Sequence, residues 1–559
     1  MAAVTGFRLG PDDRHESLDR MEHELLDVLV VGGGVVGAGT ALDAATRGLT
    51  VGLVEREDWA SGTSSRSSRL AHGGLRYLEQ FEFGLVREAL GERGLLLERL
   101  APHLVSPIAF LLPLTHRGWE RPYLGAGVAL YDALSRISRK GTRLSGHRHL
   151  SRSSVARLAP GLDPDAHVGA IGFHDAQIDD VRHTLAVVRT AASRGAMVAS
   201  RVEATGLLRD GERVCGVEVI DHETGRRLDI RARSVIAAMG VWAADSAGWL
   251  GQAEPGGAVV PSLGVHLVVR RAAIDIHTAL IARTPHSVLF LLPWSDYWLI
   301  GTTDTPWNGE LDNPRASTDD VAYLLDQANR WLLAPLTDAD VVGVYAGLRP
   351  LADPEYESGA TTKLSREHVV ARPAAGLVTV TGGKYTTYRI MAAEAVDEAA
   401  SDLPDPAPAS RTAFVELAGA AGFRELMDRR QELGAFAGLS SRDVGHLLGR
   451  HGVLVREVLD LVRHDRSLGK RVHPDAPYLR AELVYAVTHE DARHLDDLLV
   501  RRTRLALETR DQGASVARAV ADLVAPYLGW SHDDTAGEIR GYLADAQARL
   551  PLSKASIAR

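Results

Sequence analysis

Two short apolar runs with a helical pattern between them organise the first part of the chain. Val28–Val31 is continuous and apolar, as in a parallel strand covered on both faces. Gly32, Gly34 and Gly37 follow as G-x-G-x-x-G, the residues from Val35 to Gly48 carry a helical pattern, and a second apolar run from Leu49 to Val54 ends on Glu55. This spacing predicts a strand–turn–helix–strand unit whose turn holds a dinucleotide pyrophosphate at a helix N-terminus. Glu55 stands where an acid grips ribose hydroxyls, and its charge disfavours a 2′-phosphate.

Beyond this unit, helical patterns are predicted over Phe81–Leu100, Tyr123–Ile137, Asp180–Arg194 and Tyr388–Ala400. The Tyr123–Ile137 stretch is apolar over much of its surface and is flanked by Arg121, Arg136, Arg139 and Lys140. It reads either as a buried helix or as one lying in a membrane interface. Strand-like runs occur at Val214–Asp221, Val235–Ala238, Val265–Val269, Val288–Leu292, Tyr297–Gly301 and Val378–Thr381. Gly240 and the pair Gly382–Gly383 close two of these runs with glycine turns.

Residues 401–410 (SDLPDPAPAS) form a Pro-rich linker, after which residues 411–559 are almost wholly helical in pattern. The expected organisation is a flexible extension over residues 1–26, in which Leu18, Met21 and Leu25 support a short helix at most. Discontinuous cofactor and substrate domains then occupy 27–400, with the mainly β substrate part at about 81–175 and 255–365. The fold class is α/β, with a C-terminal all-helical cap.

Charge changes this picture little. The chain has 559 residues with 63 Lys plus Arg against 72 Asp plus Glu, so no excess of positive charge points to nucleic acid. Cys215 is the single cysteine, which excludes an internal disulfide and any multi-cysteine metal site. His489/His494 and His147/His149 lack ligand spacing, so no metal is expected. No run reaches the roughly 18 apolar residues of a spanning helix. Residues 1–26 lack the apolar core of a secretory signal.

The segment from Thr63 to Glu79, TSSRSSRLAHGGLRYLE, is dense in hydroxyls, small residues and cations. Its plainest reading is a solvated loop, but just after the ribose acid it also suits wrapping a phosphate-bearing cofactor. Together with Gly301-Thr-Thr-Asp304, Gly347-Leu-Arg-Pro350, Gly382-Gly-Lys-Tyr-Thr-Thr-Tyr-Arg389 and Arg501-Arg-Thr-Arg504, it resembles the FAD-dependent, quinone-linked glycerol-3-phosphate dehydrogenases. The resemblance runs from about Asp27 to beyond Arg504. Two departures stand out: Ala237-Ala-Met-Gly-Val-Trp242 replaces N-A-T-G-P-W, and Arg69 stands where lysine is common.

The resemblance implies non-covalent FAD, oxidation of glycerol 3-phosphate to dihydroxyacetone phosphate, and electron delivery to membrane quinone. It also implies peripheral attachment at the inner, cytoplasmic face of the membrane. The cofactor set is Gly32, Gly34, Gly37, Glu55, Thr63, Ser64, Ser68, His72, Gly73, Gly240, Gly382, Gly383 and Lys384. A dianionic phosphate calls for several cations, for which Arg76, Arg349, Arg366 and Lys384 are candidates, with Tyr77 adding a hydroxyl. Removing the proton of the C2 hydroxyl calls for a base near neutrality, and His266 and His72 are the candidates. Arg349 would stabilise the developing alkoxide, since an arginine is too basic to accept a proton. A histidine in an apolar strand such as Gly264–Val269 also reads as a packed core residue. Three alternatives stay open: an oxidase passing electrons to oxygen, an oxidase of an amino or hydroxy acid, and a non-catalytic flavin scaffold. The oligomeric state is open too, with a homodimer among the possibilities.

Overall fold

The computed structural model describes residues 8–79, 81–137, 144–250, 258–284, 288–353 and 368–549. Pro11–His23 (α1) is followed by Leu26–Val31 (β1), Val35–Thr46 (α2) and Val51–Val54 (β2). The β1–α2–β2 unit sits at the centre of a sheet in the order His368–Ala374, Leu377–Gly382, Arg227–Ala237, β1, β2, Met197–Ala199. The junctions from Leu377–Gly382 to Met197–Ala199 are parallel, with Val28 opposite both Val51 and Ser234. All six β1 residues except Asp27 are buried, so the unbroken apolar run reflects helices or other layers on both faces.

The turn into α2 depends on missing side chains. A Cβ on Gly37 would lie 1.8 Å from the Gly32 carbonyl oxygen, and Gly32 itself holds φ +110° beneath the Ala238 carbonyl. Only glycine lets the helix start this close to the strand end. Asp180–Ser193 and Tyr388–Ala399 pack against α2.

A second sheet of ten strands is largely antiparallel. Its longest pair joins Ala258–Arg270 to Val341–Asp353, and Tyr297–Gly301 pairs along the other side of Ala258–Arg270. The register sets His266 between Tyr345 on one side and Gly301 on the other, and sets Ser262 opposite Arg349. Cross-strand pairing therefore assembles a polar cluster from segments some 80 residues apart in the chain.

The N-terminal segment differs from the expectation of a flexible extension. α1 has thirteen residues, starts with Pro11 at its first turn, and buries Arg14, Leu18 and Met21. Leu18 and Met21 enter the core beneath the first sheet, and Arg14 bonds Asp221 at 2.5 Å. The spacing 14, 18, 21 is helical, but one member is charged, and the carboxylate that permits its burial lies 207 residues away.

The Pro-rich segment is bonded rather than free. Arg47, at the C-terminal cap of α2, donates to the Pro408 carbonyl, and Ser410 donates to Asp43. Beyond it, helices from Phe423 to Arg549 form the third part of the molecule. Buried ion pairs join it to the first sheet. Arg502 grips both oxygens of Asp58 at 2.7 Å, Arg501 reaches Asp58 at 2.5 Å, and Glu490 takes Arg182 through two bonds of 2.6 Å. Arg501 and Arg502 are carried on a π turn, Asp497–Arg502, which rotates both toward Asp58.

Removing one partner of such a network leaves uncompensated buried charge. Asp58→Asn is accordingly expected to destabilise the protein by about 3–5 kcal/mol in urea unfolding. A loss below about 1 kcal/mol would contradict this account of the interface.

Candidate active site

A cavity of about 1120 Å³ runs across the carboxyl ends of the parallel strands, where open α/β sheets bind ligands. Gly32, Gly34, Val35 and Val36 line its floor, so the N-terminus of α2 opens onto it. Ser64 accepts the Val35 N–H at 2.9 Å, occupying one of the first-turn donors. Glu55 lines the same wall and accepts the N–H groups of Gly33 at 2.6 Å and Glu57 at 2.7 Å. Burial pushes its carboxyl above the usual range, and these two bonds oppose the shift.

Thr63, Ser64, Gly240, Gly382, Gly383 and Lys384 also line the cavity. Gly37 is instead the close-packing position under Gly32. Ser68, His72 and Gly73 lie outside the lining. Gly73 donates its N–H to Tyr131, whose hydroxyl bonds Asp175 at 2.6 Å, and a Cβ on Gly73 would meet Leu90 at 2.5 Å. The His72 N–H donates to Thr386 at 3.2 Å.

The second cluster adjoins the cavity through Ser67 and Pro350, the chain neighbours of Ser68 and Arg349. His266 is buried, shares a hydrogen bond of 2.8 Å between Nε2 and the Ser68 hydroxyl, and stacks on Tyr345 with ring centroids 4.8 Å apart. Its ring fills the space a side chain on Gly301 would need. Among the described residues its Nδ1 has no hydrogen-bond partner. Burial first, and then Arg349 and Arg69, push its pKa down to about 3, so the ring is neutral at physiological pH.

Arg349 donates to the Thr302 hydroxyl at 2.7 Å and the Thr303 carbonyl at 3.0 Å, with Asp304 at 3.6 Å. With 19% of its side chain accessible, Arg349 is the open member of the cluster. Lys384 places its ammonium 3.5 Å from the centre of the Tyr77 ring, a cation–π contact. Arg366 and the side chain of Arg76 lie outside the described residues, as do Arg139 and Lys140. Among the described residues no group of His, Cys, Asp or Glu is arranged to hold a metal.

The structure also brings in residues that sequence reasoning missed. Arg66 and Ser67, Arg201 and Glu203, and Met239 and Trp242 line the cavity. So do Asp496, Arg501, Tyr542, Asp545 and Arg549 from the C-terminal helices. The arginine in Thr63–Ser68 is visible as a loop cation and Arg501 as part of the Arg501–Arg504 motif; nothing local marks Asp496, Tyr542, Asp545 or Arg549.

The glycine-lined helix N-terminus, the ribose acid and a cavity at the upper end of ligand-pocket volumes fit a dinucleotide cofactor. The fold and site thus define a dinucleotide-dependent oxidoreductase. The family model described as FAD dependent oxidoreductase matches residues 27–389, and that of the C-terminal domain of alpha-glycerophosphate oxidase matches residues 410–535. Glycerol-3-phosphate dehydrogenase 2 of Mycobacterium tuberculosis is 49% identical over 542 residues, 97% of this chain and 92% of its own length. The human mitochondrial glycerol-3-phosphate dehydrogenase is 35% identical, covering 90% of this chain and 71% of its own. The X-ray structure of glycerol-3-phosphate dehydrogenase from Bacillus halodurans complexed with FAD matches with a TM-score of 0.80 and 28% identity, covering 98% of this chain and 99% of that one. The chain belongs to the FAD-dependent glycerol-3-phosphate dehydrogenase family.

Proposed function

We propose that this protein oxidises sn-glycerol 3-phosphate to dihydroxyacetone phosphate and passes the electrons to membrane quinone. The observation that carries the reading is the His266–Ser68–Arg349 cluster, with Lys384 and Tyr77 on the same loop system as the cavity. Bound non-covalently, FAD supplies the hydride acceptor, flavin N5, which the protein only has to position. His266 is the best-placed proton acceptor: it is neutral and held in one orientation by Tyr345 and Ser68, although burial, Arg349 and Arg69 make it a weaker base than the near-neutral one the reaction calls for. It takes the C2 hydroxyl proton as the hydride leaves C2. Arg349, fixed by Thr302 and Thr303, faces the oxygen that becomes negative and lowers the cost of that charge. Lys384 and Arg76 bind the phosphate, with Tyr77 beneath the Lys384 ammonium. Arg366 belongs to the same proposed set by its motif alone.

Quinone lies in the bilayer, and no helix among the described residues is long and apolar enough to cross one. We assign the contact to the helix Glu120–Ile137, which joins the two readings of its sequence. Leu124, Val128 and Tyr131 are buried on its inner side, whereas Tyr123 and Leu130 are exposed, next to Trp119, which is 56% exposed. Phe81 and Phe83 are exposed at the start of Phe83–Leu95, a helix that packs against this one, and Arg117 and Arg136 are exposed near the two ends of Glu120–Ile137. An amphipathic helix with aromatic and basic residues on its open side suits the headgroup region.

His266→Asn is expected to lower kcat about 10²- to 10⁴-fold with a smaller change in KM, measured with a soluble electron acceptor. A kcat within a few-fold of the parent would remove His266 from the mechanism. Sedimentation with anionic lipid vesicles should carry down the parent chain, while a Trp119→Glu, Tyr123→Glu double variant stays in solution. Equal binding of both would place the membrane contact elsewhere.

A further inference from the structure

We infer that Arg66 is a binding residue for FAD, its guanidinium supplying the counter-charge to the cofactor's pyrophosphate opposite the N-terminus of α2. This rests on the family's cofactor and not on the choice of substrate or electron acceptor.

A pyrophosphate diester carries two negative charges, and a helix N-terminus offers the equivalent of only about half a positive charge. One of the first-turn N–H groups of α2 is already taken by Ser64. A cation is therefore needed close by, and the basic residues lining the cavity can be taken in turn. Arg56 pairs with Asp312, Arg201 with Glu57 and Asp497, and Arg549 with Asp496. Arg501 is held by Asp58, Asp496 and Asp497, His494 lies between Glu223 and Glu538, and Arg315 donates to the Ala548 carbonyl. Lys384 sits over the Tyr77 ring. The side chain of Arg66 makes no hydrogen bond, ion pair or ring contact with any described residue, yet Arg66 lines the cavity.

Its place in the chain fits the role. Arg66 follows Ser64 by two residues, on the turn that hands Ser64 to the α2 N-terminus, and that turn is clamped by the second sheet. A Cβ on Gly347 would stand 2.6 Å from Arg66 Cβ, so the strand backbone fits closely against the loop and fixes where the side chain starts. The walls around it are electropositive: burial first, and then Arg501, push the guanidinium down to about 10, with only Asp496 acting the other way among its main influences. It stays charged at neutral pH, and its repulsion from Arg501 is relieved when an anion enters. Because Asp496, Arg501 and Arg549 come from the C-terminal helices, those helices shape the field in which Arg66 waits. The phosphate of the substrate is the other anion available, but its proposed ligands Lys384 and Tyr77 do not figure in the environment of Arg66, which is that of the C-terminal helices.

The test is titration of apo-protein with FAD, following flavin fluorescence, for the parent, Arg66→Gln and Arg66→Lys. Arg66→Gln is expected to raise the Kd for FAD about tenfold or more, and Arg66→Lys to recover part of the loss because it keeps charge but not the planar fork. Thermal melting of the apo-proteins should coincide within about 2 °C, since Arg66 has no protein partner to lose. An unchanged Kd for FAD overturns the inference, and if the KM for glycerol 3-phosphate rises instead, Arg66 serves the substrate phosphate. A sharp fall in apo-protein melting also overturns it, making Arg66 a structural residue.

Discussion

Asp58 is buried between Arg501 and Arg502, and much of the molecule's geometry follows from having to satisfy that carboxylate. It lies four residues after the end of β2, in the cofactor domain, while both arginines come from the C-terminal helices. Neither domain can keep its charges buried without the other, because an unpaired ion in such a site costs several kcal/mol. The same logic repeats at Glu490 with Arg182 and Arg189, and at Asp179 with Arg450 and Arg504. These pairs add specificity of docking: charges must meet in one register, whereas an apolar interface tolerates sliding. The result is a cavity with walls from both ends of the chain.

That docking links the two halves of the chemistry. The Gly32–Gly37 turn brings a helix N-terminus to the cavity floor, and the loop that follows β2 crosses from Ser64, which caps that helix, to Ser68, which bonds His266. One loop therefore connects the cofactor-binding turn to the proposed base over a few residues. The second sheet completes the arrangement by register, setting Tyr345 beside His266 and Arg349 within reach of Thr302. A slip of one residue would send His266 to the opposite face and dismantle the cluster.

The parts legible in sequence were those encoded locally. The β1–α2–β2 unit followed from an apolar run, three glycines and an acid, and Tyr297–Gly301 followed from its own composition. His266 and Arg349 are site candidates through motif resemblance alone, since periodicity reads His266 as a core residue. The rest was invisible for a shared reason. The sequence of α1 reads as a loose extension, since Arg14 on its buried face is charged and only Asp221, far along the chain, makes that burial possible. Arg501 and Arg549 reach the cavity through a π turn and a terminal helix, neither of which has a local signature for cofactor contact. Arg66 needed the opposite kind of information, namely that every neighbouring cation has a partner.

The central claim is that a neutral, buried His266 and a cationic site act on glycerol 3-phosphate beside bound FAD. Anaerobic mixing of the holoprotein with glycerol 3-phosphate, following the visible flavin absorbance, tests it most directly. Rapid bleaching by glycerol 3-phosphate, little by glycerol, lactate or amino acids, and strong slowing in His266→Asn are expected. Absence of bleaching by glycerol 3-phosphate in folded, FAD-loaded protein, or equal bleaching by glycerol, would contradict it.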